Sequence, residues 1–302
     1  MLVTLLALAA PLLPLAAPGR TETARASRPP SARWEPAPEA ELARLQAERP
    51  LAAAVRTTLF GAGRLHGVLG TDALGRDLLA RVVWGARVSL LVGLLASLVS
   101  LVLGTGVGLA AGWLGGRTDR LLMRLVDALL ALPLVLLAIL AVTLLTGRNA
   151  PFAGLGLTRE GVLYLVIGAV CWPSMARVVR TQARGLRRRE FVEAARALGA
   201  GGPRIVLRHL LPNLGGIVAV CLTLNVPRVV LTEAFLGFLG LSVEEPAVSW
   251  GTLASDGLAQ LTPIAEAWWL VAFPGLALAL TLGALNAMGD ALRDALDPRL
   301  RA

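Results

Sequence analysis

Five long apolar runs, at residues 88–114, 121–146, 161–179, 214–239 and 267–288, decide most of what this chain can become. Crossing a bilayer core of about 30 Å takes roughly 20 apolar residues in a helix, and backbone in lipid must satisfy its own hydrogen bonds. The chain therefore reads as an all-α membrane protein, a polytopic bundle of transmembrane helices. Composition agrees, because only 16% of residues are charged, whereas soluble domains carry about 25%. A weaker run at 2–18 is interrupted by Pro11, Pro14 and Pro18. It lacks the basic leader of a signal peptide, so the reading favours a first transmembrane helix and about six in all.

The loops give an orientation. Residues 180–212 hold eight arginines, 115–120 add Arg117 and Arg120, and the tail adds Arg293, Arg299 and Arg301. The alternate loop 240–266 has no basic residue and carries Glu244, Glu245, Asp256 and Glu266. Basic loops stay cytoplasmic, and six spans then put both termini inside. The segment 19–87 disagrees, with eleven arginines on the outer side. At that length the charge rule loses force. The expected organisation is a first span at 1–18, an extracytoplasmic segment at 19–87, a core of five transmembrane helices at 88–290 and a cytoplasmic tail at 291–302. The proline-rich first half of the outer segment reads as irregular. Residues 77–87 read as an amphipathic helix at the interface, with Leu78, Leu79, Val82, Val83 and Trp84 towards lipid.

All 29 basic residues are arginine. A phosphate-binding loop of the form G-x-x-x-x-G-K-[ST] needs lysine, so the chain cannot carry one. If ATP drives its work, another polypeptide binds the ATP. The net charge of +9 is accounted for by the positive-inside bias and calls for no nucleic acid. Cys171 and Cys221 lie in apolar stretches and are expected to be buried free thiols. His66 and His209 have no neighbour at metal-ligand spacing. No nucleophile–base pair stands out, so the chain is not read as an enzyme and no cofactor is implied.

The loop at 190–213, EFVEAARALGAGGPRIVLRHLLPN, is organised. Phe191, Ala194, Ala195 and Leu198 recur at the spacing of one helical face. Gly199, Gly201, Gly202 and Pro203 then break the helix. A second short helix is expected at 204–211, ending near Pro212. The result is a helix–break–helix elbow whose small residues let another backbone come close. Spacing alone also permits an ordinary basic loop.

The run Glu193-Ala194-Ala195-x3-Gly199, followed after nine residues by His209-Leu210-Leu211-Pro212, resembles the EAA loop of binding-protein-dependent ABC importer permeases. The Arg-His before the Leu-Leu-Pro is similar to the dipeptide, oligopeptide and nickel branch. Leu69-Gly70-Thr71-Asp72-Ala73-Leu74-Gly75-Arg76-Asp77 resembles that branch's signature ahead of the second span. The segment from Asp290 to Arg299 resembles its C-terminal tail. The resemblance implies a type I importer permease of about six helices. Its expected partners are two cytoplasmic ATPases, a second permease subunit, an extracytoplasmic solute-binding protein and the surrounding lipid. Glu190, Glu193, Ala194, Ala195, Gly199, His209, Leu211 and Pro212 would then form the ATPase-docking surface. The cargo implied is a dipeptide or oligopeptide, with nickel or another small solute as the alternative.

Two ionisable residues in the fifth span, Arg228 and Glu233, are candidates for the translocation pathway, because charges in lipid are costly. The competing reading pairs Arg228 with Glu233 or with a neighbouring subunit, or has it snorkel to the membrane interface. Ser249-Trp250-Gly251 resembles a family element facing the binding protein, and Trp268 and Trp269 read as interface anchors. Asp127 is expected to pair with Arg124. An ATP-independent secondary transporter is the runner-up reading; it would need ion-coupling groups on broken helices in repeated halves.

Overall fold

The computed structural model describes residues 7, 9–146, 159–243, 245, 247–261 and 267–296. The helices in chain order are α1 (Glu39–Glu48), α2 (Pro50–Phe60), α3 (Leu78–Leu114), α4 (Gly116–Ala131), α5 (Leu134–Thr146), α6 (Arg159–Arg187) and α7 (Glu190–Ala197). They continue with α8 (Gly202–Phe238), α9 (Trp250–Gln260) and α10 (Trp269–Leu296). Strands β1 (Arg33–Pro36) and β2 (Gly63–His66) pair antiparallel, with Arg33 opposite His66.

Among the described residues four helices (α3, α6, α8 and α10) are long and apolar enough to cross a membrane. A fifth span arises if α4 and α5, bent by 96°, count as one. The expected single helix at 121–146 is thus broken. Pro133 explains the break: it excludes Leu132 from helical backbone, and Leu132 is extended at φ −84°, ψ 141°. Of the expected first span, residues 1–6 and 8 lie outside the described residues. Its remainder is not one helix, since a 3-10 turn at Ala10–Leu12 gives way to extended chain and Leu15 bridges to Leu65. Pro11 and Pro14 supply the reason, each lacking an N–H for a helical bond. The chain divides into two compact units.

One unit comprises Met1–Leu91 and Glu233–Ala284. Its N-terminal part is ordered where sequence suggested irregular chain. Arg64, nearly buried, pairs with Glu22 at 2.6 Å and Glu41 at 3.3 Å, while Arg25 pairs with Glu35 at 2.6 Å. The signature stretch folds into a knot. Gly70 and Gly75 adopt φ of +87° and +72°, and Asp72 Oδ1 accepts from the Leu74 and Arg76 amides. Asp77 Oδ1 accepts from the Ala80 amide at 2.9 Å, satisfying one of the free donors at the start of α3. Residues 77–87 are therefore not an interfacial helix but the beginning of α3. Leu78, Val82 and Val83 are buried in protein, not turned to lipid, because Arg81 on the same turns is held inside by Asp72.

The tryptophans of this unit also depart from expectation. Trp269 is buried, and its indole N–H reaches the Thr71 carbonyl at 3.4 Å; Trp268 stays 56% exposed. Ser249 caps α9 in a reciprocal capping box with Thr252. Trp250 is 1% exposed and donates from Nε1 to the Val82 carbonyl at 3.0 Å. Ser249-Trp250-Gly251 is core, so it offers no surface to a binding protein. Large aromatics with an N–H serve buried junctions as well as interfaces, and sequence spacing does not separate the two.

The other unit comprises Val92–Thr232 and Leu285–Ala302. Here Gly104, Gly108 and Gly112 run down one face of α3 against α6. A Cβ on Gly108 would sit 2.5 Å from the Ala176 carbonyl, and one on Gly112 would sit 2.8 Å from the Arg180 carbonyl. Small residues at four-residue spacing let two helices pack backbone to backbone. Met123 and Val126 of α4 join Ala111, Trp172 and Ala176 in a buried cluster beside this pair. Asp119 pairs with Arg180 through two contacts, at 2.5 and 2.7 Å. Asp127 pairs with Arg177 of α6 at 2.6 Å instead of Arg124. Cys171 and Cys221 are free thiols, the first buried and the second half-buried. The C-terminal helix runs on to Leu296, past the expected start of the tail at 291.

Candidate functional site

The elbow at 190–212 is built on the second unit. Helix α6 ends at Arg187, the chain turns at Arg188 and Arg189, and α7 begins with Glu190. Glu190 and Glu193 lie in its first turn, where negative charge favours the helix dipole. Val192 and Ala195 point inward. They join Leu109, Met175, Val179, Ala183, Ile205, Leu210 and Leu214 in one buried apolar cluster.

The helix stops in a Schellman turn. Gly199 takes φ +80°, its amide donates to the Arg196 carbonyl at 2.9 Å, and the Ala200 amide donates to the Ala195 carbonyl at 3.0 Å. A side chain at Gly199 would meet no neighbour, so backbone conformation alone requires the glycine. Pro203 then stands in the first turn of α8, where its missing N–H costs nothing.

The expected second short helix does not end at Pro212. Residues 206–210 form a π-turn, and the helix continues through Pro212 to Phe238. The wider turn just upstream accommodates a residue with no N–H to give and a ring crowding the preceding turn. Asn213 Nδ2 donates to the His209 carbonyl at 2.6 Å.

Seven of the eight expected docking residues reach the outer surface. Glu190, Glu193, Ala194, Gly199, Leu211 and Pro212 are exposed and His209 is half-buried. Ala195 is the exception, at 8% exposure. It supports the helix from beneath, because i and i+3 from Val192 share the inner face. The outer face carries Phe191, Ala194 and Leu198, the last 88% exposed. Phe191 packs towards the His209 ring, centroids 6.4 Å apart, and joins the two arms of the elbow. Arg184, Arg188, Arg189, Arg196, Arg204 and Arg208 are exposed around this face. An apolar, small-residue ridge ringed by guanidinium groups suits a concave, acidic-rimmed partner. Val192 was not singled out from sequence, although its spacing from Ala195 is the signal for an inner face.

The two pathway candidates separate. Glu233 has no exposed surface; its Oε1 accepts from Ser242 Oγ at 2.7 Å and its Oε2 from Ser89 Oγ at 3.1 Å. Arg228 is exposed, and its Nη1 donates to Ser174 Oγ at 3.4 Å. Five positions apart on one helix, the two side chains leave it about 140° apart. Of the alternatives open for Arg228, pairing with Glu233 is not the one seen: the two residues have different partners.

Comparisons with known proteins bear on this geometry. The chain is 45% identical over 232 residues to the oligopeptide transport system permease protein OppC of Haemophilus influenzae, covering 77% of this chain and 70% of that one. It is 41% identical over 232 residues to the dipeptide transport system permease protein DppC of Bacillus subtilis, covering 77% and 68%. Its fold is similar to a chain of the MetNI methionine ABC transporter in an inward facing conformation. That match has a TM-score of 0.56 at 19% identity and covers 73% of this chain and 98% of that chain. The family described as binding-protein-dependent transport system inner membrane components matches residues 104–302, a stretch that contains the whole elbow. On that match and these identities, the chain belongs to the family of binding-protein-dependent transport system inner membrane components.

Proposed function

We propose that this chain is one permease subunit of an ATP-driven peptide importer and that the elbow is its ATPase-docking element. The observation that carries the docking reading is the outward ridge of α7, seated on a rigid core through Val192 and Ala195. A ridge held in that way moves with the helices beneath it. Closure of a bound ATPase would displace α7 and bias the spans between inward and outward openings. The peptide cargo is supported by the names of the relatives at 41–45% identity.

In this reading the elbow faces the cytoplasm, as its ring of exposed arginines favours. Two ATPases, a second permease and a solute-binding protein complete the assembly. Arg228, exposed beside Ser174 on an apolar span, is the remaining candidate to meet a substrate carboxylate. The test is co-purification with the ATPases followed by peptide uptake in proteoliposomes. Gly199→Asp should keep the permease folded and weaken both ATPase association and uptake. If Gly199→Asp left both intact, the docking role would be wrong. Arg228→Ala with unchanged uptake and unchanged peptide preference would remove Arg228 from the pathway.

A further inference from the structure

One aromatic residue outside the elbow gathers three helices. Trp113 lies at the end of α3, half-buried against the cluster that holds Val192, Ala195 and Ile205. Two guanidinium groups lie over its ring. Arg196 of α7 has its Cζ 5.1 Å from the ring centroid, and Arg187 at the end of α6 has its Cζ 5.8 Å away. Both fall within the range of cation–π attraction. Gly202, at the start of α8, also borders the indole: a Cβ there would stand 3.5 Å from Trp113 Nε1.

The helices that meet at this ring differ in how firmly they are held. Along Gly104, Gly108 and Gly112, α3 and α6 are packed backbone to backbone. Helix α7 has only eight residues, anchored by Val192 and Ala195, entered through a turn at Arg188 and Arg189 and left through Gly199, Gly201 and Gly202. A push on α7 reaches the α3–α6 pair through the apolar cluster it shares with Leu109, Met175, Val179 and Ala183 and through the side chains that grip it. The apolar contacts beneath α7 resist compression, whereas sideways motion is carried by groups that grip the helix. Arg196 over Trp113 is such a grip, and Arg187 ties the same ring to α6.

We infer that Trp113 is the coupling residue between the docking helix and the α3–α6 pair, a positioning residue that acts through Arg196 and Arg187. The inference rests on the docking reading above and deepens it. It assigns to the indole's π face a role that apolar volume alone cannot fill. Phenylalanine keeps that face, whereas leucine keeps bulk and loses it.

The experiment uses the whole transporter, with ATPases, second permease and binding protein, in proteoliposomes. Trp113→Leu should leave ATPase co-purification and basal ATP hydrolysis intact. Uptake per ATP hydrolysed should fall about tenfold, the scale expected for losing two cation–π contacts. Trp113→Phe should restore most of the coupling. Arg187→Gln, which leaves the indole in place, should lower the same ratio and serves if Trp113→Leu does not fold. Wild-type uptake per ATP in Trp113→Leu, or in Arg187→Gln, overturns the inference and leaves the docking reading standing. Loss of ATPase association in folded Trp113→Leu overturns it as well, since Trp113 would then merely support the dock. A wild-type chain that recruits no ATPase overturns the docking reading and the inference with it.

Discussion

Asp72 and Arg81 form an ion pair at 2.7 Å with both side chains 2% exposed. Asp72 Oδ2 also accepts from Arg76 Nε at 2.6 Å, and Arg81 Nη2 reaches Asp256 at 3.1 Å. The knot thus ties the start of α3 to the loop that precedes it and to α9. Removing one partner of a buried pair strands the other charge. Asp72→Ala should destabilise the protein by about 3–5 kcal/mol, read as a fall in unfolding temperature in detergent. Asp72→Leu combined with Arg81→Met should recover much of that loss. A single variant as stable as wild type would show that the pair is solvated.

Gly251 lies against the backbone of α8. A Cβ there would collide with the Ala234 carbonyl, far inside ordinary contact. Since the obstacle is backbone, no rotamer change relieves it. Gly251→Ala should cost at least about 1–3 kcal/mol, and Gly251→Val more. Thermal unfolding beside Gly61→Ser, where the site is open but φ is +65°, separates steric collision from backbone strain.

These two features mark where sequence reading ran out. The helix–break–helix course of the elbow was legible because its signals are local: Gly199, Gly201, Gly202 and Pro203 interrupt the helix, whereas the inner face of Val192 and Ala195 was not read. The Asp72 knot was not, because Glu245 and Asp256 lie more than 160 residues along the chain from Arg76 and Arg81. Arginines in an outer segment look solvated until their carboxylates are located. Tryptophan misled for a related reason. Trp268 and Trp269 are adjacent in sequence, yet one is exposed and the other buried over Gly70. Proline was ambiguous in the same way. Pro133 breaks its helix, whereas Pro173, Pro227 and Pro274 lie inside continuous ones.

The outer segment should loosen in acid. The hydrogen bond from Arg25 holds the Glu35 carboxyl below its ordinary value of 4.5, outweighing partial burial. Burial raises the Glu22 carboxyl, but the Arg64 hydrogen bond and the charges of Arg64, Arg25 and Arg20 bring it down overall. A carboxyl depressed in the folded state contributes stability above its unfolded value and loses it as pH falls through its folded value. Hydrogen exchange in β1 and β2 should therefore be slow near neutrality and accelerate, beyond its intrinsic pH dependence, as pH drops below 4.5. Glu35→Gln should weaken the segment at neutral pH and flatten that acid response. Equal acid sensitivity in the variant and in wild type would move the cause elsewhere.

Glu233 separates a structural role from a transport role. Trp250 N–H donates to Ser89 Oγ at 3.3 Å, Ser89 donates on to Glu233 Oε2, and Ser242 donates to Oε1. The carboxyl thus collects the start of α3, the chain after α8 and the start of α9 around one buried acceptor. Glu233→Ala strands two buried hydroxyls and leaves a cavity, so it should cost about 2–5 kcal/mol. Glu233→Gln keeps one carbonyl acceptor and should cost less. A group with no exposed surface that serves only as a strut should let Glu233→Gln transport peptides with wild-type preference. A changed preference in a folded Glu233→Gln protein would return the residue to the pathway and show that the site opens during transport. Arg228→Ala, assayed beside it, gives the contrast, because Arg228 is exposed where Glu233 is sealed.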